Sequence, residues 1–223
     1  VGKLIYVTSD LHLNHYNILK LENFNLERSG LGYIKTLEQY NDMIISHINA
    51  KVLSTDTLYI LGDVGFGPCS EIKKLLDKIV CRNLYMIFGN HDKYGVTQAK
   101  IIGFKDAFYE PYYLQESKGK IALSHFPAYE ALNNPYVAYN FHGHLHGSKL
   151  DNDKYINFNI AMNEYYPVCI DDYLVKAETK AKKRTEKFLH EWFINMQIFI
   201  DKSRGDIEIG PDGHIIWPEE EKK

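Results

Sequence analysis

The residues able to do chemistry in this chain sit at the ends of apolar runs. Leu84-Tyr85-Met86-Ile87-Phe88 is followed by Gly89-Asn90-His91-Asp92. The apolar run reads as a buried strand, and Gly89 tolerates the sharp turn that ends it. Asn90 offers a carbonyl oxygen, a hard ligand for a divalent metal. His91 offers an imidazole that moves protons near neutral pH, and Asp92 is placed to orient it or stabilise its charge. Four more apolar runs end in the same way. Tyr6-Val7-Thr8-Ser9 enters Asp10-Leu11-His12. Leu58 to Leu61 enters Gly62-Asp63, and Ile121 to Ser124 enters His125. Val137 to Tyr139 leads through His142 into Gly143-His144-Leu145-His146-Gly147. Carboxylates and imidazoles at strand ends are what a metal site at the edge of an α/β sheet requires.

The elements that must position them follow from periodicity. Leu4–Ser9, Leu58–Leu61 and Leu84–Phe88 read as strands. Between the first two, Glu22 to Tyr33 reads as a loop. Thr36 and Gln39 then form a capping box for a helix that shows Tyr40, Ile44, His47 and Ile48 on one face and ends near Val52. Ser70 opens a second helix, with Ile72, Leu75, Leu76 and Ile79 at helical spacing. Strands alternating with helices imply right-handed crossovers and a parallel core. From Asp106 the texture becomes antiparallel. Short strands are expected at Ala107–Tyr109, Tyr112–Gln115, Lys120–Ser124, Tyr155–Asn159 and Pro167–Ile170, with a tight turn at Lys118-Gly119.

The ordered set D-x-H, G-D, G-N-H-D, a lone H and G-H-x-H, from Asp10 to His146, resembles the calcineurin-like metallophosphoesterase superfamily. The opening Ser9-Asp10-Leu11-His12-Leu13-Asn14-His15 is similar to a small bacterial and phage branch of it. The resemblance implies an α/β fold, a sandwich of two mixed β-sheets flanked by helices. It also implies two divalent metal ions. Asp10, His12, Asp63 and His146 would hold the first, and Asp63, Asn90, His125 and His144 the second, with Asp63 bridging. The chemistry of the residues agrees. In an extended Asp10-Leu11-His12 segment, alternate side chains point the same way. His144 and His146 share that spacing, which serves two ions about 3.5–4 Å apart. The oxygen and imidazole donor set suits Mn, Fe, Zn or Ni more than Ca or Mg. No thiolate belongs to it, which argues against a purely structural zinc.

The implied reaction is hydrolysis of a phosphomonoester or phosphodiester of a small molecule or nucleotide. Water activated between the metals attacks phosphorus in line, and His91, supported by Asp92, protonates the leaving oxygen. His15 is either a contact for a substrate phosphate or leaving group, or a surface loop histidine. His142 is read as local packing or support for a ligand, and His47 as structural. Protein Ser/Thr phosphatases of the superfamily carry arginines after the G-D motif. Here Gly62-Asp63 is followed by Val64-Gly65-Phe66-Gly67-Pro68, so that branch is set aside. A nuclease acting on single-stranded nucleic acid is the alternative, and a non-catalytic scaffold fits poorly with a complete ligand set.

Composition is ordinary for a soluble globular protein. The chain has 223 residues, 45% apolar and 25% charged, with net charge -3. That balance supplies no global basic field for nucleic acid. Cys69, Cys81 and Cys169 are odd in number, lack metal-like spacing and read as reduced thiols. No apolar run reaches membrane-span length. No signal-peptide pattern opens the chain at Val1, which lacks an initiator Met, so cytoplasm is the default expectation.

A catalytic domain is expected over 1–170 and an appendage over 171–223. In the appendage a long helix from Asp172 to about Ile200 carries a stripe of Leu174, Ala177, Ala181, Thr185, Phe188, Trp192, Met196 and Phe199. Its other faces hold Lys176, Lys180, Lys182, Lys183, Arg184 and Lys187, a solvated surface or a nucleic-acid contact. Ile207 to Trp217 reads as a β-hairpin. A homodimer through this appendage, or a lid, would cover its apolar side chains.

Overall fold

The computed structural model describes residues 2–116, 119–204, 208–209 and 215–216, with side chains to residue 196. The chain divides into two compact units, Val1–Asp172 and Tyr173–Lys223.

The first unit holds two mixed sheets flanked by helices. In the larger sheet β1 (Ile5–Thr8), β2 (Thr57–Leu61), β3 (Asn83–Ile87) and β4 (Asp106–Phe108) run parallel, and β9 (Val168–Cys169) joins β1 antiparallel. Every residue of β2 is buried, as a central parallel strand covered on both faces demands. Crossovers carry α1 (Ile18–Arg28), α2 (Leu37–Lys51), α3 (Cys69–Leu76) and α4 (Val96–Ile102). The smaller sheet has the order β5 (Tyr112–Glu116), β6 (Gly119–Leu123), β7 (Val137–His142), β8 (Tyr155–Asn157).

The capping box forms as read. Thr36 Oγ1 accepts the Gln39 N–H at 3.1 Å, and Gln39 Oε1 accepts the Thr36 N–H at 3.1 Å. The helix it opens buries Tyr40, Ile44 and Ile48 against the core beneath the larger sheet. An aromatic stack ties the sheets together. Tyr59 of β2 lies 5.1 Å from Tyr85 of β3 and 6.0 Å from Tyr112 of β5, which in turn lies 4.1 Å from Phe108 of β4.

Three expectations are corrected. Residues from Glu22 toward Tyr33 are not all loop, because α1 runs to Arg28 and buries Ile18, Glu22 and Leu26 one turn apart. Strand β4 is not part of an antiparallel meander: it pairs parallel to β3. The chain then passes through Tyr109-Glu110-Pro111 into the other sheet. Finally, β5 and β6 are antiparallel, but β6–β7 and β7–β8 are parallel. Short strands between turn residues carry no sequence mark of direction, which explains both strand errors. The Lys118 half of the expected turn lies outside the described residues.

In the second unit, α5 (Ile170–Arg204) begins at the end of the first and continues through it. From Glu178 to Met196 its side chains are exposed, including Phe188, Trp192, Phe193 and Met196. The side chain of Phe199 and the residue Trp217 lie outside the described residues. Strands β10 (Glu208–Ile209) and β11 (Ile215–Ile216) pair antiparallel, as the hairpin reading requires. Among the described residues no helix is long and apolar enough to cross a membrane.

Candidate metal centre

The loops after β1, β2, β3, β6 and β7 meet at one place. Ser9 anchors the first by donating its hydroxyl to the Leu61 carbonyl at 2.7 Å. Residues 10–13 then run beside 62–66. The N–H of Asp10 donates to the Gly62 carbonyl (3.1 Å), that of His12 to Asp63 (3.0 Å) and that of Leu13 to Val64 (3.0 Å). Leu11 and Leu13 are fully buried in the core. Asp10 and His12 face the centre, with His12 Nε2 3.9 Å from Asp10 Oδ1.

The extended geometry expected for Asp10-Leu11-His12 is not what forms. Asp10 (φ 56°) and His12 (φ 47°) are left-handed, and so are Asp63 (53°), His144 (63°) and His146 (45°). Five of the seven ligand candidates therefore occupy backbone that L-residues rarely adopt. Asp and His tolerate it better than most residues, but each position still costs on the order of 1–3 kcal/mol. That cost is borne where the side chains must converge.

Glycines make room for the convergence. A Cβ on Gly89 would lie 2.4 Å from Asp63 Oδ1, and one on Gly143 would lie 2.3 Å from Asp10 Oδ2 and 1.9 Å from Ser9 Oγ. Gly147, in the same loop, has open space there. Gly143→Ala is therefore expected to displace Asp10, weaken metal binding and cost about 1–3 kcal/mol of stability. Gly147→Ala should do neither. Thermal melts and Mn titrations of the two variants check this.

Among the described residues, two groups of side chains have ligand atoms close enough to hold an ion: Asp10 with His12 and His146, and Asp10 with Asp63 and His125. Asp10 is common to both groups, and Asp63 of the second reaches toward the first, its Oδ2 3.5 Å from His125 Nε2 and 4.0 Å from His12 Nε2. Asn90 Oδ1 lies 2.9 Å from His125 Nε2. The His144 N–H donates to Asp10 Oδ2 at 3.1 Å, and its ring lies 5.1 Å from that of His125. The structure thus brings all seven sequence-derived ligand candidates into one neighbourhood.

The donor set fits metal ions. Asp10 Oδ1 and both ring nitrogens of His12 are buried without a hydrogen-bond partner. Groups left in that state cost about 1–3 kcal/mol each unless something binds them. Burial, reinforced by neighbouring histidines and opposed by Asp63, lowers the His12 imidazole to about 4. It is therefore neutral at physiological pH, the form that ligates a metal.

Residues 3–196 match the calcineurin-like phosphoesterase family. The chain belongs to that family. It is also 30% identical over 187 residues to an uncharacterized protein of Methanocaldococcus jannaschii, an overlap of 80% of this chain and 93% of the relative. Its fold resembles a crystal structure of a protein of unknown function from Aquifex aeolicus. That likeness has a TM-score of 0.61 at 22% identity and covers 79% of this chain and 100% of the other. As a calcineurin-like phosphoesterase with two clusters able to hold metal, the chain is a metal-dependent hydrolase.

Within this phosphoesterase centre His91 stands on the open side. Its side chain is 45% exposed, and Nε2 lies 4.0 Å from Asp63 Oδ2. Its backbone N–H donates to Asp63 Oδ1 at 3.0 Å. Asp92 has a different place from the one expected. Its carboxylate accepts the N–H groups of Asp63 (2.8 Å), Gly89 (2.8 Å) and Val64 (3.1 Å) rather than the His91 ring. It fastens the loop after β2 to the loop after β3. Burial pushes its carboxyl up to about 6, against the pull of those three N–H groups.

His15 is packed rather than free. Its ring lies 4.1 Å from Phe66 and 5.6 Å from His12, and its Nδ1 is buried without a partner. His142 is fully buried with Nδ1 2.9 Å from the Gly143 carbonyl. His47 stacks on Tyr166 at 4.0 Å and meets the Tyr165 carbonyl at 3.1 Å.

Three residues at the centre escaped sequence reasoning. Phe66 walls it, with ring centres 5.2 Å from His91 and 5.6 Å from His12. Glu110 accepts the backbone N–H groups of His125 and Phe126. Nothing in the local sequence marks either. Glu22 lies beside His146, and its signal was present: Ile18, Glu22 and Leu26 recur every four residues, as one buried helix face does.

Proposed function

We propose that this chain is a dinuclear phosphoesterase acting on a phosphomonoester or phosphodiester of a small molecule or nucleotide, with Mn as the preferred metal. The observation that carries this reading is Asp63 Oδ2, set between His12 Nε2 and His125 Nε2 at 4.0 and 3.5 Å. A carboxylate in that position suits a bridge. Asp10, His12, Asp63 and His146 would hold one ion, and Asp63, Asn90, His125 and His144 the other. Bound there, the ions supply Lewis acidity, which activates water and offsets charge on phosphate oxygens.

The remaining work falls to the chain itself. His91 reaches the centre from its open side and gives its proton to the leaving oxygen. Asp63 Oδ1 holds the His91 backbone while its other oxygen faces the ligand histidines. Asp92 keeps these two loops in register. Phe66 limits water around His12, His15 and His91, and His15 is set to meet a substrate phosphate or leaving group.

The test is a screen of phosphomonoesters, cyclic and linear diesters, nucleotides and single-stranded nucleic acid with Mn added. Turnover of a small ester supports the reading. Turnover confined to nucleic acid, with binding that weakens steeply as salt rises, would replace it with the nuclease.

We further propose that the protein forms a homodimer through the appendage and acts in the cytoplasm. The appendage exposes Phe188 (64%), Phe193 (64%) and Trp192 (47%), more apolar surface than a helix leaves in water without purpose. Deletion from Lys176 onward removes no ligand candidate. The truncated chain is expected to bind metal as before and to run as a monomer in light scattering. Unchanged mass in solution and unchanged kinetics on every substrate would remove the role.

A further inference from the structure

Helix α1 carries one buried carboxylate that the reaction above does not use. Glu22 is 5% exposed. Its Oε2 accepts the Asn25 side-chain N–H at 2.8 Å and the Tyr165 hydroxyl at 3.1 Å. Its Oε1 lies 3.8 Å from His146 Nδ1, within ion-pair reach but beyond a hydrogen bond. A buried carboxylate is costly unless both oxygens have partners. Two neutral donors serve one oxygen, and the imidazole of His146 faces the other.

Tyr165 is itself built for this contact. It is fully buried and sits at φ 63°, a conformation that a bulky residue adopts only when its surroundings compel it. His146, by contrast, is the least enclosed member of its cluster. Its side chain is 48% exposed and its backbone is left-handed at φ 45°. The Asn157 side chain holds its carbonyl at 2.8 Å. That contact fixes the backbone, while the ring stacks on His12 at 5.4 Å and takes no hydrogen bond from Asn157. Glu22 is placed to settle the ring, because a carboxylate on Nδ1 leaves Nε2 as the nitrogen for the metal.

We propose that Glu22 is a positioning residue for one metal site only, holding His146 by Nδ1 so that Nε2 is presented beside Asp10 and His12. This rests on the dinuclear reading above. Such outer carboxylates fix both the tautomer and the direction of a ligand imidazole. The other cluster, Asp10 with Asp63 and His125, has its own supports. His125 Nδ1 meets the Leu61 carbonyl at 2.9 Å, and Glu110 holds the His125 backbone. Helix α1 therefore controls the occupancy of one site and leaves the other alone.

The test is Mn titration of the full chain and of Glu22→Gln, followed by calorimetry and electron paramagnetic resonance. Gln preserves volume and can still accept from Tyr165 and Asn25, but it can no longer present a carboxylate to both sides. One of the two Mn affinities is expected to fall about 10–100-fold while the other stays within about twofold. At Mn sufficient for one equivalent, the variant should show an uncoupled mononuclear spectrum. Tyr165→Phe should shift the same affinity in the same direction by less, and it decides the matter if Glu22→Gln does not fold. Two unchanged affinities, or an equal fall in both, would overturn the proposal. A wild-type chain that binds fewer than two Mn would instead overturn the dinuclear reading, whatever the variants do.

Discussion

Asp63→Asn is expected to leave a folded chain that holds neither metal well and turns over substrate about 10³-fold or more slowly, beyond the loss of a single oxyanion donor. Asn is the informative replacement. Asp63 sits at φ 53°, where Asn is tolerated and Ala adds strain. The substitution keeps volume, and it keeps an oxygen for the His91 N–H now bound at 3.0 Å. What it removes is the negative charge 3.5 Å from His125 Nε2 and 4.0 Å from His12 Nε2. If that oxygen bridges, both ions lose a ligand at once. Asp63→Ala should show the same metal loss with lower stability. Metal analysis of the purified variants is the measure. Two equivalents retained by either variant would contradict the bridge.

His91→Ala should behave in the opposite sense. Its metals are expected to stay, because the ligand candidates remain and the lost side chain is 45% exposed. The rate on esters with poor leaving groups should fall about 10²–10⁴-fold, the range for removing a general acid. An activated aryl phosphate needs less protonation, so its rate should fall much less. Loss of a metal equivalent would make His91 a ligand instead. Equal losses on both substrate types would make it a binding group.

Much of this arrangement is legible in the sequence because one physical rule writes it. Apolar runs such as Leu58 to Leu61 must be buried strands, so the polar residues after them must lie together at one sheet edge. The capping box at Thr36 is legible for a similar reason, since both of its hydrogen bonds are local. Backbone hand is not. Asp10 and His12 share a side through left-handed residues, and no periodicity reports that. Strand direction is also hidden. The turn at Tyr109-Glu110-Pro111 moves the chain between sheets, yet it reads like any hairpin. Helix α1 was obscured because Asn23 and Asn25 suggest a loop, although Ile18, Glu22 and Leu26 share a buried face. The clamp made by Asp92 depends on the backbone N–H groups of Asp63 and Val64, 29 and 28 residues away in sequence, which only the fold brings within 2.8–3.1 Å.

The most direct measurement is anomalous diffraction from crystals of the intact chain grown with Mn. The account predicts two Mn peaks about 3.5–4 Å apart, as paired sites of this kind require, with Asp63 touching both. Asp10, His12 and His146 should surround one peak, and Asn90, His125 and His144 the other. A single peak, or two peaks without Asp63 between them, would contradict it.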